Sequence, residues 1–253
     1  MKQERPFLLV NINNTNTSFA LANSKRIIRV VRTPTASIGK VPFADTTVSG
    51  IVLASVVPTM TKRVRRMLPM RPLIVNAGID LGVGVRYPSR RQIGADRLAN
   101  AAGVVKLYGT PAIVVDFGTA VTFDIVNARS EYIGGVIAPG LAAVTDYLYQ
   151  RTALLPRITL AEPRSAIGKS TVDAMRVGAV IGYRGLVKEI LSALKRERGM
   201  KRAIVVATGG YGGLIAGKIP EIDHVNPLLT LEGLRFIYLR NRAPGDSGGR
   251  RSQ

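Results

Sequence analysis

Val114-Val115-Asp116-Phe117-Gly118-Thr119-Ala120-Val121-Thr122 reads as an apolar strand, a tight polar turn and a return strand. An earlier stretch, Leu8-Leu9-Val10-Asn11-Ile12-Asn13-Asn14-Thr15-Asn16-Thr17, repeats the pattern, so one hairpin is expected twice in the chain. In the later copy Asp116 can hold a cation, Gly118 can bring main-chain donors close to an oxygen, and Thr119 adds a hydroxyl. The same residue types are common in turns that bind nothing, so a phosphate-handling turn and a plain hairpin both stay open on these residues alone. The earlier copy has asparagine at 11 and 13 where the later one has Asp116 and Gly118, and it therefore lacks the acid.

Outward from the hairpins, strand and helix patterns alternate. A short helix is expected after Ser55-Val56-Val57-Pro58, with Val64, Met67 and Leu68 on one side and Lys62, Arg63, Arg65 and Arg66 on the other. Leu81 to Pro88 reads as a glycine-rich strand or extended loop. Gly94-Ala95-Asp96-Arg97 then opens a helix, with Asp96 in the first turn, where free backbone donors favour an anion. The glycines of Gly134-Gly135-Val136-Ile137-Ala138-Pro139-Gly140 allow close backbone approach, either to a ligand or within a packing turn. Ser170, Asp173 and Gly199 frame a longer helix, whose Gly178, Gly182 and Gly185 are expected to pack closely against another element. A strand from Arg202 to Ala207 and the turn Thr208-Gly209-Gly210-Tyr211-Gly212-Gly213 follow. Two halves that each run strand, hairpin, helix indicate a duplicated α/β architecture, with a doubly wound parallel sheet as the competitor. The expected lobes are 1–110 and 111–243, and 244–253, with Pro244-Gly245-Asp246-Ser247-Gly248-Gly249, reads as a disordered tail.

The 253 residues are 46% hydrophobic, enough for a large core in one domain or two lobes. There is no cysteine, so disulfides, thiolate metal sites and cysteine nucleophiles are excluded, and His224 is the single histidine. The opening residues are too brief and interrupted for a signal peptide, and no run approaches membrane-spanning length, so a soluble cytoplasmic protein is expected. Lys and Arg number 36 against 16 Asp and Glu, a formal charge of +20, with clusters at 25–32, 62–71 and 195–202. Such a field attracts anions, and an acidic partner or nucleic acid is compatible with it, although no nucleic-acid-binding motif is present. Gly168-Lys169-Ser170-Thr171 lacks the upstream glycine of a P-loop.

Taken together, Gly94-Ala95-Asp96-Arg97, Asp116-Phe117-Gly118-Thr119-Ala120 and Gly134-Gly135-Val136-Ile137-Ala138-Pro139-Gly140 resemble type III pantothenate kinase, and the likeness extends over most of the chain. The resemblance implies a duplicated actin-like (ribonuclease H-like) α/β fold of the sugar-kinase, heat-shock-protein and actin superfamily. It implies transfer of the ATP γ-phosphate to pantothenate, giving 4′-phosphopantothenate at the start of coenzyme A synthesis. It further implies a homodimer, Mg²⁺, and K⁺ or NH₄⁺. On matching positions, Asp96 is the catalytic base, and Tyr87, Gly94, Ala95, Arg97 and a partner subunit's copy of Thr171 shape the pantothenate pocket. Asp116 takes the monovalent cation, while Gly118, Thr119, Gly209 and Gly210 lie near phosphate or nucleotide, as does Gly134. Asn11, Asn13, Asn14, Thr15 and Asn16 form the first phosphate turn, with Asn11 the position of a divalent-metal ligand.

This chain departs from the family's Asp-x-Gly-Asn-Thr pattern, reading Asn11-Ile12-Asn13-Asn14-Thr15. Asn11 lacks the negative charge expected to hold Mg²⁺. Asn13 is expected to occupy a turn position suited to positive φ and to glycine, with its side chain intruding on phosphate space. A weakened kinase and a catalytically impaired homologue acting as a binding or regulatory protein are the two functions that follow.

Overall fold

The computed structural model describes residues 4–43 and 45–242, and the expected tail lies outside them. The chain divides into two compact units, residues 1–107 with 228–253, and residues 108–227. In the first, β1 (Phe7–Ile12), β2 (Asn16–Ala22) and β3 (Ile27–Pro34) form an antiparallel meander, and β4 (Ile51–Ser55) pairs parallel with β1. Helix α1 (Pro58–Met67) crosses to β5 (Leu73–Ile74), parallel to β4, completing the order β3-β2-β1-β4-β5. A two-residue strand, β6 (Gly84–Val85), precedes α2 (Ala95–Tyr108).

The second unit repeats this wiring. Its meander is β7 (Ala112–Phe117), β8 (Ala120–Val126) and β9 (Glu131–Pro139), followed by α3 (Leu141–Arg151) and α4 (Thr171–Arg196). Then come β10 (Ile204–Thr208), parallel to β7, the single turn α5 (Gly212–Ile215) and β11 (His224–Val225), parallel to β10; the last helix, α6 (Leu229–Asn241), returns to the first unit. The order is β9-β8-β7-β10-β11, strand for strand that of the first unit. The antiparallel meander in each unit excludes the doubly wound parallel sheet.

The apolar residues of each unit explain its layers. Leu8, Val10, Ile12, Phe19 and Leu53 point to one face of the first sheet and close over Val64 of α1. Lys62, Arg63, Arg65 and Arg66 are left exposed, the amphipathic face read from the sequence. Pro58 opens this helix at a position that needs no N–H, and Arg65 and Arg66 lie at its negative end. In the second unit Ile113, Val115, Phe117 and Phe123 are covered by Val180, Tyr183, Val187 and Leu191 of α4. Ser170 caps that helix, its hydroxyl accepting from the Asp173 amide at 3.1 Å. The helix ends at Arg196, just before Gly199 takes a left-handed φ of 82°.

Two expectations change. Gly178, Gly182 and Gly185 pack against nothing: space for a side chain is open at all three, because the buried face of α4 is the one carrying Val180 and Val187. The second lobe does not extend to residue 243, since α6 belongs to the first unit. There Gly233 lies against the Ala99 carbonyl of α2, and a methyl at Gly103 would sit 2.7 Å from the Leu229 carbonyl oxygen. Two helix backbones this close admit no side chain, a constraint invisible in a sequence cut by position. Gly233→Ala is expected to lower the unfolding free energy by about 1–3 kcal/mol or more through overpacking. Urea unfolding measures it, with Gly217→Ala, which meets open space, as the control.

Candidate functional site

Each unit places its candidate hairpin residues at the carboxyl end of its first strand. Asn11 is the penultimate residue of β1, opposite Ser18 and Ala54, and Asp116 is the penultimate residue of β7, opposite Thr122 and Thr208. The two positions are equivalent in the repeated wiring. The turns differ in length: Asn13 N–H donates to the Asn16 carbonyl, whereas Gly118 N–H donates to Ala120, one residue closer.

In the first turn Asn14, Thr15 and Asn16 are exposed at the tip, and Asn11 is only 5% exposed. The Oδ1 atoms of Asn11 and Asn13 are both buried without a hydrogen-bond partner. Asn13 does not have positive φ, so the strain expected from replacing glycine is absent. The equivalent Gly118 also lacks positive φ, and a methyl there would meet only the Ala120 carbonyl at 3.3 Å and Asp116 Oδ1 at 3.8 Å. This turn tolerates a side chain. Thr35, which the sequence did not single out, secures the loop: its hydroxyl donates to the Asn13 carbonyl at 2.6 Å and its N–H to the Thr15 carbonyl at 2.9 Å. Nothing local marks Thr35, because its role comes from β3 returning beside the turn.

Asp96 lies beside this same strand end. The Ile12 carbonyl accepts from Val56 N–H at 3.1 Å, and Val56 Cγ1 lies 3.4 Å from where a Gly94 side chain would begin. That same point is 2.5 Å from Asp96 Oδ1, so glycine at 94 is what makes room for the carboxylate. Asp96 Oδ1 accepts from the Arg97 amide at 2.8 Å in the first turn of α2. Burial pushes the Asp96 carboxyl above its ordinary pKa, outweighing the Arg97 amide and guanidinium, which pull it down. A carboxylate raised in this way is a stronger proton acceptor once ionised. Gly94 and Ala95 also line an open cleft of about 810 Å³ with Ser55, Asn76, Arg90 and Arg91, the last two unmarked in the sequence. Tyr87 is half-buried on the irregular segment before α2 and is not among the lining residues.

In the second unit two glycines, Gly209 and Gly140, press on the 116–119 turn, whereas Gly134, opposite Ile125, lies at the far end of the β8–β9 ladder from the expected phosphate site. Gly209 has φ of 88°, and a side chain there would strike Asp116 Oδ1 and the Phe117 backbone at 2.5–2.7 Å. Gly140 lies with its Cα against the Gly118 and Thr119 carbonyls, where a side chain has no room. Gly134 has φ of 141° at the irregular end of the β8–β9 ladder, a backbone reason for its glycine. Gly210, by contrast, is exposed with open space around it, and Thr119 is exposed. Thr171 is exposed at the first position of α4.

As holders of a divalent ion, the first-turn residues fit poorly. They offer neutral amide oxygens, and among the described residues no three His, Cys, Asp or Glu cluster together, whereas Mg²⁺ is ordinarily held by one or two carboxylates plus phosphates. Asp116, one carboxylate beside the Gly118 and Thr119 backbone, has the chemistry for a singly charged cation.

Comparison with known proteins identifies the family. The family model described as type III pantothenate kinase matches residues 7–193. The type III pantothenate kinase of Akkermansia muciniphila is 48% identical over 236 residues, 91% of this chain and 97% of that protein. Among solved structures, a protein described as a Baf family transcriptional activator from Campylobacter jejuni has a TM-score of 0.62 at 21% identity, covering 92% of this chain and 98% of that one. One described as an N-acetylmannosamine kinase from Listeria monocytogenes has a TM-score of 0.53 at 10% identity, covering 93% and 99%. The fold is the duplicated actin-like fold.

The raised Asp96 pKa has a stability consequence. The folded state binds this proton more tightly than the unfolded chain, so stability is highest below the ordinary aspartate pKa and falls as pH rises toward the folded value. Asp96→Asn removes that fall. Thermal unfolding of both proteins from about pH 3 to 8 is expected to show the variant gaining on the parent across this window, and parallel profiles would contradict the buried-carboxylate reading.

Proposed function

Because the chain belongs to the type III pantothenate kinase family, and so catalyses ATP-dependent phosphorylation of pantothenate to 4′-phosphopantothenate, we propose that Asp96 takes the proton from the acceptor hydroxyl. The observation that carries this is the half-buried, high-pKa carboxylate at the start of α2, beside both the open cleft and the end of β1. The acceptor lies in the cleft, where Arg90 and Arg91 supply positive charge to a carboxylate-bearing substrate and Gly94 and Ala95 let it approach the helix start. Arg97 and Tyr87 shape the pocket further. Phosphoryl transfer passes through a loose transition state, so alignment of hydroxyl and phosphate matters more than a strong base, and Asp96 serves chiefly to orient the hydroxyl and receive its proton.

Thr119, Gly118 and Gly210 provide the phosphate contacts of the second turn, and Asp116 holds K⁺ or NH₄⁺ beside them. Gly209 and Gly134 act by shaping backbone. Asn14, Thr15 and Asn16 present the first turn to the nucleotide. Mg²⁺ bound with the nucleotide would neutralise charge on the transferring phosphate. Asn11 would offer it only a neutral oxygen, which weakens turnover at limiting Mg²⁺ relative to an acidic residue at that position. Asn13 contributes little to that weakening, since its backbone is unstrained.

The protein acts as a homodimer through the second unit. Ile137 (65% exposed), Tyr147 (63%), Ile167 (76%) and Ile181 (41%) are large apolar side chains in water, and the open glycine face of α4 runs beside Ile181. The partner's Thr171 then reaches the pantothenate pocket. No helix among the described residues is long and apolar enough to cross a membrane, and we place the enzyme in the cytoplasm.

Asp96→Asn is expected to lower pantothenate-dependent turnover by about 10²–10⁴-fold while ATP-analogue binding persists. A coupled assay with ATP, pantothenate, Mg²⁺ and K⁺ measures it, and unchanged turnover removes Asp96 from the role. Gly182→Arg is expected to convert a dimeric parent to monomer in sedimentation equilibrium. A monomeric parent at micromolar concentration would sink the dimer assignment.

A further inference from the structure

We propose that the solvent face of α1 docks the phosphate backbone of duplex DNA, a binding activity that does not depend on the kinase reading. Lys62, Arg63, Arg65 and Arg66 are all exposed on this helix. At 3.6 residues per turn they fill one continuous arc of about 160°. Val64, buried in the core, lies on the opposite side, with Met60 and Met67 packed beside it. Arg71, also exposed, follows four residues after the helix. No Asp or Glu occurs between Asp45 and Asp80. Among the described residues none of these five cations makes an ion pair.

The other basic clusters are partly neutralised. Around 195–202, Arg196 pairs with Glu189 at 3.4 Å and Glu197 interrupts the run. Near 25–32, Glu4 accepts from the Ser24 hydroxyl at 2.7 Å, and Arg29 is spent over the Phe43 ring. The chemistry of the α1 face also narrows its occupant. Its apolar side is committed to the core, so the helix cannot sink into a bilayer. A protein partner would need an apolar anchor at the centre of the contact, and α1 exposes no large apolar side chain. Single strands bind by stacking on aromatic rings, and none occurs between Phe43 and Tyr87. Duplex RNA is recognised through its 2′-hydroxyls, whereas the ammonium and guanidinium groups here offer no acceptor, and the Thr61 hydroxyl is turned to Ser55 and Val57. Duplex DNA remains. It carries one charge per about 1.7 Å of axis, so a ten-residue helix about 15 Å long meets about nine charges on the two strands. With no Asn or Gln on α1, the contact reads charge rather than sequence.

Fluorescence anisotropy with a labelled DNA duplex of about two dozen base pairs and arbitrary sequence tests this on the full chain. The parent is expected to bind with a slope of log K against log salt of about −4 between about 50 and 200 mM KCl. Replacing Lys62, Arg63, Arg65 and Arg66 together by Gln is expected to weaken binding at the lowest salt by more than about tenfold and to make the slope shallower by about 3–4. Pantothenate turnover, unchanged in that variant, shows that it folds. The matched control replaces Lys195, Arg198, Lys201 and Arg202 by Gln, removes the same charge elsewhere, and is expected to stay within about threefold of the parent. Absence of binding by the parent overturns the proposal, as does an equal loss in the control, which would make net charge the cause. Displacement of the duplex by poly-L-glutamate as readily as by unlabelled DNA would assign the face to an acidic polypeptide instead. Binding of an RNA duplex of the same length more than about tenfold tighter than DNA would likewise overturn it.

Discussion

Parallel strands end in the same direction, and the parallel pairing of β1 with β4 and of β7 with β10 is the constraint on which the site depends. In each unit it sets the carboxyl end of the first strand, with its hairpin turn, beside the carboxyl end of the fourth, where a new loop begins. In the first unit that neighbour is Val56, whose N–H bonds Ile12 and whose side chain borders Gly94 and therefore Asp96. In the second it is Gly209, pressed onto the Asp116–Phe117 backbone. The same hydrogen-bond ladder thus delivers a carboxylate in one unit and a glycine floor in the other.

The close approaches explain why glycine recurs. At 94 it makes room for a carboxylate, at 209 it satisfies both a left-handed backbone and contact with Asp116, and at 140 it seats one turn on another. At 103 and 233 it lets α2 and α6 touch backbone to backbone. Three others, 178, 182 and 185, have no neighbour in the chain, and there the structure asks for nothing that alanine would lack. Within one sequence the same residue type marks a ligand-ready backbone, a packing contact and an unfilled face.

The two units also divide the electrostatics. Asp116 keeps a carboxylate at the end of β7, while the corresponding position of β1 carries a neutral amide. Asp96, beside β1, is desolvated and holds its proton more tightly than a free aspartate.

Much of this was legible in the amino-acid order. Short apolar runs marked the hairpin strands, Pro58 and Ser170 announced helix starts, and the repeated hairpin announced the duplication, because these patterns depend on neighbours within a few positions. That residues 134–139, read as a glycine turn, run as part of β9 was decided by its pairing with β8. The Gly94-Ala95-Asp96-Arg97 start was readable for the same reason. What tertiary structure alone decided involves partners distant in sequence: Thr35 clamping the Asn13 turn, Arg90 and Arg91 lining the cleft, α6 joining the first unit, and the ordinary backbone of Asn13. Sequence determines local dihedral preference and which face is apolar. It does not determine whether a carbonyl buried at a strand end finds a donor, and for Asn11 that question was settled only by where β2, β4 and the Thr35 loop came to rest.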